Sequence, residues 1–269
     1  MGGVTRSRFA RLIVAPAAGS GPRHFFYNQR NPIPAAPFTS RRTAMFTRPL
    51  FQPDRAASLA FAAARGFGTV CTHDGTRPVA SALPFCLEYS SDGTPVAAFH
   101  VARGNALAAL ADGKSHWLIA VNGADTYVSP HWYASPDQVP TWLYQAVHLS
   151  GPVRAMSSHE LAEHLDALSA KFESWLAPKP SWSTGEITAG RREAMMKAIV
   201  GLVMTVEDID GSFKLNQHKS DVDHAAIAIE LSRQPDADAQ AIGKRMVALR
   251  PQLDYKSLVP VSADGRNTP

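Results

Sequence analysis

YVSPHWYASPDQVPTWLYQAVHLSG, residues 127–151, is the stretch on which the reading of this chain turns. It gathers Tyr127, Trp132, Tyr133, Trp142 and Tyr144 with His131 and His148, and so holds two of the five tryptophans and three of the six tyrosines. β-rich runs at 126–129 and 142–153 predict strands on either side of a proline-bearing loop. Aromatic side chains in a strand pack well on a pleated surface and are commonly core. The same concentration of rings, beside a few hydrogen-bond donors, also suits a slot for a planar ligand. From the residues alone both readings stand open.

Upstream of this stretch, Asp54 is placed to cap a helix that runs through Leu59 and Phe61 to Arg65 and stops at Gly66. Runs at 67–73 and 78–88 predict strands joined by the turn Asp74-Gly75-Thr76-Arg77. A strand at 96–101 would put Phe99 and His100 on opposite faces, followed by a short helix over 105–112 and a strand at 117–122. Downstream the period changes from two to 3.6: Ser157 and Glu160 form a capping-box pattern, and Leu161, Leu165, Leu168 and Phe172 make one stripe. A helix is expected at 191–198, a strand at 199–206, and helices at 221–231 and 237–249, with a loose tail over 251–269.

With 269 residues, 45% apolar, the chain can bury a large core, and no run approaches the roughly 20 apolar residues of a membrane-spanning helix. Cys71 and Cys86 are too few for a disulfide framework and read as small buried residues of a reducing, cytoplasmic compartment. The pI of 9.2 is misleading, because residues 1–44 hold seven arginines and no acid, which leaves the remainder at net −3. That leader carries five prolines and no sustained period. It reads either as a transit peptide or as sequence upstream of a natural start at Met45, and the second is favoured. The expected organisation is an unstructured leader at 1–44, a barrel at 45–155, and helices plus one strand completing the domain at 156–250.

Several motifs fail on spacing. His159 and His164 resemble a zinc-protease helix but stand five apart rather than four, which separates them by about 140° on a helix, so they are read as surface residues. Gly185 to Arg191 has the glycine spacing of a phosphate loop without its Lys-Ser/Thr pair, and Gly66-Phe67-Gly68 lacks the third glycine of a dinucleotide fingerprint. No catalytic or metal-ligating residue is assigned.

The pattern Y-V-S-P-H-W-Y-x6-P-T-W-x-Y-Q-A-V-H-L-S-G closely resembles the signature of the PaiB-type FMN-binding negative transcriptional regulators. The resemblance extends to Phe67-Gly68-Thr69-Val70, to Ala80-Ser81-Ala82-Leu83-Pro84-Phe85, to His100-Val101-Ala102-Arg103-Gly104-Asn105, and to Ile199-Val200-Gly201 with Lys214-Leu215-Asn216-Gln217. It covers roughly Met45 to Arg233. What it implies is an α+β fold: a split β-barrel of the FMN-binding type, related to the pyridoxamine-phosphate oxidases, with packed helices and a helical C-terminal part. It further implies a homodimer with FMN at the subunit interface, Ser81 and Leu83 along the flavin, His100, Arg103 and Asn105 leading into its phosphate, and Trp142 and Tyr144 near the ring. Arg103 suits phosphate because guanidinium can give two parallel charged hydrogen bonds. Ala82, Ala106, Ala108 and Asp125 stand where the family commonly has histidine, proline, tryptophan and histidine.

Three functional classes follow. The first is a negative transcriptional regulator, which the resemblance favours over an enzyme. The others are a flavin oxidoreductase of the pyridoxamine-phosphate-oxidase-like group, with His148 and Tyr144 as candidates for proton handling, and a flavin-free dimeric binding protein. DNA would be met by a local basic patch on the last helices, drawn from Lys214, Lys219, Arg233, Lys244, Arg245 and Arg250.

Overall fold

The computed structural model describes residues 45 and 47–255; the leader of residues 1–44 lies outside the described residues, as does the tail beyond Tyr255. Helix α1 (Arg55–Arg65) begins where the Asp54 carboxylate accepts the Ala57 N–H at 2.6 Å and ends at Gly66, whose φ of 56° is left-handed. Strands β1 (Phe67–His73) and β2 (Pro78–Pro84) follow as an antiparallel hairpin. Asp74 closes its turn, accepting from the backbone N–H groups of Thr76 and Arg77.

The run expected as one strand over 78–88 is two. Pro84 brings no N–H to a ladder, and the N–H of the fully buried Phe85 is donated to the Gly66 carbonyl at 2.8 Å. The chain therefore turns, and β3 (Cys86–Tyr89) pairs with β4 (Pro95–Ala102) instead of β1. A four-residue helix, α2 (Leu107–Leu110), leads into β5 (Asp112–Val128) and, after a 3-10 turn at Pro130–Trp132, β6 (Thr141–Ala155). The two strands expected at 117–122 and 126–129 are one, kept continuous by a register shift between Asn122 and Asp125. Gly123 sits in that shift, where an added Cβ would stand 2.8 Å from the Phe61 ring.

Helix α3 (Ser158–Ser174) starts on the expected capping box, with Ser157 and Glu160 each accepting the other's backbone N–H. Arg154 grips the same Glu160 carboxylate through both terminal nitrogens, at 2.7 and 3.2 Å. The Arg154 hydrogen bond, then the Ser157 N–H, hold that carboxyl down at about 2. After α4 (Ala189–Lys197) come β7 (Ile199–Thr205), an unexpected strand β8 (Asp208–Lys214), and helices α5 (Asp221–Arg233) and α6 (Ala237–Leu249). Tyr255 packs against the α5–α6 cluster and its hydroxyl donates to the Arg250 carbonyl, so the tail expected to be loose from 251 is held as far as this residue.

Among the described residues, all eight strands form one antiparallel sheet in the order β2-β1-β5-β6-β7-β4-β3, with β8 also paired to β6 and six α-helices around it. It is curled into a half-barrel, and the α+β split-barrel expectation holds. Strand β6 takes two partners along one edge: β8 over Tyr144–Ser150 and β7 over Val153–Ala155. At the exchange stands Gly151, where a Cβ would lie 1.8 Å from the Thr205 carbonyl oxygen. Inside the curl, Val70, Phe85, Phe99, Ile119, Val147 and Met204 are fully buried and continuous with Leu59 and Ala62 of α1. A second cluster joins Leu143 and Val128 to Ile227, Leu231, Ile242 and Met246.

No rotamer change relieves a clash of a Cβ with backbone. Gly151→Ala is expected to cost about 3 kcal/mol, near the upper end for overpacking, and to lower Tm by roughly 6–12 °C for a domain of this size. The control is Gly190→Ala in α4, where an added Cβ meets nothing within 4 Å and should stabilise by about 0.5–1 kcal/mol. Equal melting temperatures for the two variants would mean that β6 changes partner without the close approach.

Candidate functional site

Alternation along the strands divides the sheet into two faces. On β6, Leu143, Gln145, Val147 and Leu149 point into the curl, which puts Trp142, Tyr144, Ala146, His148 and Ser150 on the outer face. Registers extend that face sideways: Ala82 lies beside Thr69, Thr69 beside Ala120, Ala120 beside His148 and His148 beside Asp210, a row across five strands. The side chains of Ala82, Thr69 and Ala120 are small, and every member of the row is half-buried or exposed. Toward one end Tyr127 and Trp142 stand as a cross-strand pair, ring centroids 6.3 Å apart at 71°, with 46% and 54% of their surface in solvent. Asp125 is exposed on the same face beside Tyr144.

His148 is the polar anomaly of this face. Its Nδ1 is buried with no hydrogen-bond partner among the described residues. Burial pushes its pKa down, against the pull of Asp210, so the ring is neutral near pH 7. An unpartnered buried nitrogen on a half-covered face fits a surface that something else completes.

The expected site residues fall into three places. Asn105 Nδ2 donates to Ser81 Oγ at 3.0 Å while its Oδ1 accepts the Leu107 N–H, so this side chain ties β2 to the start of α2. Leu83 is close to Ser81 in β2, but its side chain packs on the core, which leaves only backbone for a ligand. Arg103 points elsewhere: Nε and Nη2 donate to the carbonyls of Lys197 and Ile199, at 2.9 and 3.2 Å. His100 faces α3, with its Nδ1 3.2 Å from His164 Nε2. Trp142 and Tyr144 are on the outer face of β6, three strands from β2 and about 14 Å away across the sheet. One protomer therefore brings Ser81 and Asn105 together and separates both from Trp142 and Tyr144.

His164 corrects the sequence reading that placed it on the surface: it is 4% exposed, with Nδ1 unpartnered. Burial, then the neighbouring His100, lowers its pKa to about 4. The signal was in the spacing, since His164 lies three residues after Leu161 and four before Leu168, on the buried stripe of α3.

The sequence family described as "Putative FMN-binding domain" matches residues 45–208, more than half the chain. The chain belongs to this family. Within it, "Protease synthase and sporulation protein PAI 2" of Bacillus subtilis (strain 168) is 30% identical over 186 residues, covering 69% of this chain and 88% of that protein. Among solved structures, the FAD and heme binding protein from Mycobacterium smegmatis is similar at 16% identity and a TM-score of 0.45, over 61% of this chain and 73% of that one. The flavocytochrome Anf3 from Azotobacter vinelandii is similar at 15% identity and 0.38, over 60% and 67%. FMN is the cofactor that family membership supports, and the residues present fit it. Edge strand β2 leaves alternate backbone N–H and C=O groups unpaired, as the polar rim of a flavin requires. Ser81 and Asn105 stand as polar groups beside that edge, and Arg103 does not.

The buried histidine sets a pH dependence. Its folded-state pKa lies below the unfolded value, so the unfolded chain takes up more protons and stability falls as pH drops from about 6.5 toward 4. Between pH 7 and pH 5 this group alone should remove about 2 kcal/mol, measurable as a lower urea midpoint. His164→Leu should flatten that decline. A decline as steep as in the wild type would assign it to the other histidines whose pKa burial lowers, His100, His148, His218 and His224.

Proposed function

We propose that this chain binds FMN between two copies of itself and acts as a flavin-carrying negative regulator of transcription. The observation that carries the dimer is the outer sheet face, with Tyr127 and Trp142 half in solvent and His148 Nδ1 unpartnered. Large rings on an open sheet face mark an interface. FMN would lie along the free edge of β2 at Ser81 and Leu83, with its phosphate toward Asn105 and Ser81 and the strand of His100 leading to it; Arg103 would join only by leaving the carbonyls of Lys197 and Ile199. Trp142 and Tyr144 would come from the second copy, since one protomer holds them three strands away. Bound FMN would supply one- and two-electron transfer. The chain's own residues bind it, orient it and shield it from water.

The regulator reading rests on the PaiB-type resemblance and on kinship with a protein named for protease synthesis and sporulation. The basic stripe expected on the last helices is broken up, with Lys214 at the end of β8, Lys219 in the loop before α5 and Arg250 at the cap of α6, and four of its members have partners. Arg250 bonds Asp221 and two carbonyls, Arg233 pairs with Glu230, Lys214 donates to Thr141, and Lys219 to Gln138. Lys244 and Arg245 are exposed on α6 and would contact phosphate, doubled by a dimer.

The experiment is sedimentation and FMN titration of wild type and Trp142→Asp, with binding to the DNA upstream of the chain's own coding sequence. The wild type should be a dimer that releases FMN on denaturation, and Trp142→Asp a monomer with FMN weakened at least tenfold. DNA binding should weaken steeply with salt, and replacing Lys244 and Arg245 by Ala should reduce the slope by about one for each phosphate these side chains neutralise. A monomeric wild type that holds FMN tightly would contradict the shared site. Absence of specific DNA binding by the FMN-loaded dimer would contradict regulation.

A further inference from the structure

A cavity of about 300 Å³ opens where the outer face ends, between the start of β6 and the end of β8, the segment around Phe51 and the loops at 133–141 and 216–219. Arg48, Lys214 and Lys219 line it, and no Asp or Glu does. Both lysines are held by neutral groups, Lys214 Nζ donating to Thr141 Oγ1 and Lys219 Nζ to Gln138 Oε1, each at 2.6 Å. Lys219 also lies 4.7 Å from the Tyr133 ring centroid. These contacts position the ammonium groups without neutralising them. The imidazole of His218, on the same wall, registers the result: burial, then Lys219, Arg48 and Lys214, lowers its pKa.

Asn216 supplies an independent observation. It is fully buried, sits at a left-handed φ of 59°, and lines the cavity. Its Nδ2 reaches the Tyr133 hydroxyl at 3.4 Å, but among the described residues its Oδ1 has no partner, and neither has the buried Thr47 Oγ1 that also lines the cavity. Buried polar atoms of this kind are rare in folded proteins. Phe51, Tyr133 and Tyr144 give the cavity aromatic walls.

We propose that this cavity is a binding site for a small phosphomonoester, separate from the FMN site. Three uncompensated cations suit a dianion better than a carboxylate, and they lie where a phosphate can take charged hydrogen bonds. Asn216 Oδ1 requires an N–H or O–H donor on the organic part, and the aromatic walls suit a ring. The size is at the lower end for ligand pockets, which selects a compact molecule. Tyr144 is the one wall residue that the proposed FMN site also uses, and none of Arg48, Lys214 and Lys219 belongs to that site, so variants at these cations make the two proposals fail separately.

The test is calorimetric titration of the full chain, with and without saturating FMN, using 4-aminophenyl phosphate as probe and phenyl phosphate and 4-aminobenzoate for comparison. The aminophenyl phosphate should bind both forms with similar affinity, and the two others at least tenfold more weakly. Arg48→Ala and Lys214→Ala should each weaken it at least tenfold while FMN affinity and Tm stay unchanged. Three results would overturn the site: no binding at millimolar probe, equal binding by wild type and both variants, or displacement of FMN by the probe.

Discussion

The approach of the Thr205 carbonyl to the Cα of Gly151 is the contact around which the sheet is arranged. Only there can β6 leave β8 and join β7, because any side chain at 151 would occupy the place of that carbonyl. The link from β7 to β8 runs along the same edge of β6 at this point, with the Glu207 N–H donated to the Ser150 carbonyl and the Val206 N–H to the Pro95 carbonyl. One strand thus serves both halves of the curl. Its outer face stays continuous from Trp142 to Ser150 while its inner face fills the core.

Two consequences follow for chemistry. The curl gathers apolar side chains inward and leaves the outer row of Ala82, Thr69, Ala120 and His148 too small to cover itself. Around the rim, the chain before α1 and the first turn of α1 wrap β8: Pro53 and Ser58 close on Gly211 from the inner side, and Phe51 meets His218 edge-on at 5.6 Å. This wrap protects an edge strand and also brings Arg48 to Lys214 and Lys219. On the far side, α3 is fastened by Arg154 and Glu160 at its start and buries His164 against His100. A neutral imidazole pair there resists acid poorly, which ties the stability of the fold to pH.

Much of this was legible in the residues. Caps named the ends of α1 and α3, because Asp54, Gly66, Ser157 and Glu160 act locally. Periodicity located most of the strands and the C-terminal helices. Strand β8 was missed because Asp208, Asp210, Gly211 and Ser212 have low strand propensity; it exists through its ladder to β6, a tertiary cause. The division at Pro84 and the fusion of β5 across Gly123 likewise depend on what lies beside the chain: the Gly66 carbonyl in one case, the Phe61 ring in the other. At the candidate site, residue types were legible and directions were not. Arg103 and Asn105 stand two apart yet reach to opposite sides, one to the carbonyls after α4 and one to Ser81. His164 was misread because its motif was judged before its place on the apolar stripe.

The central claim is that the outer face is completed by a second copy with FMN at the free edge of β2. The most direct measurement is a crystal structure of the protein saturated with FMN. The account predicts a two-fold dimer joined through the outer faces, with the flavin along Ser81 and Leu83 of one copy and within contact of Trp142 and Tyr144 of the other. Flavin held wholly within one protomer, or a dimer that leaves Trp142 in solvent, would contradict it.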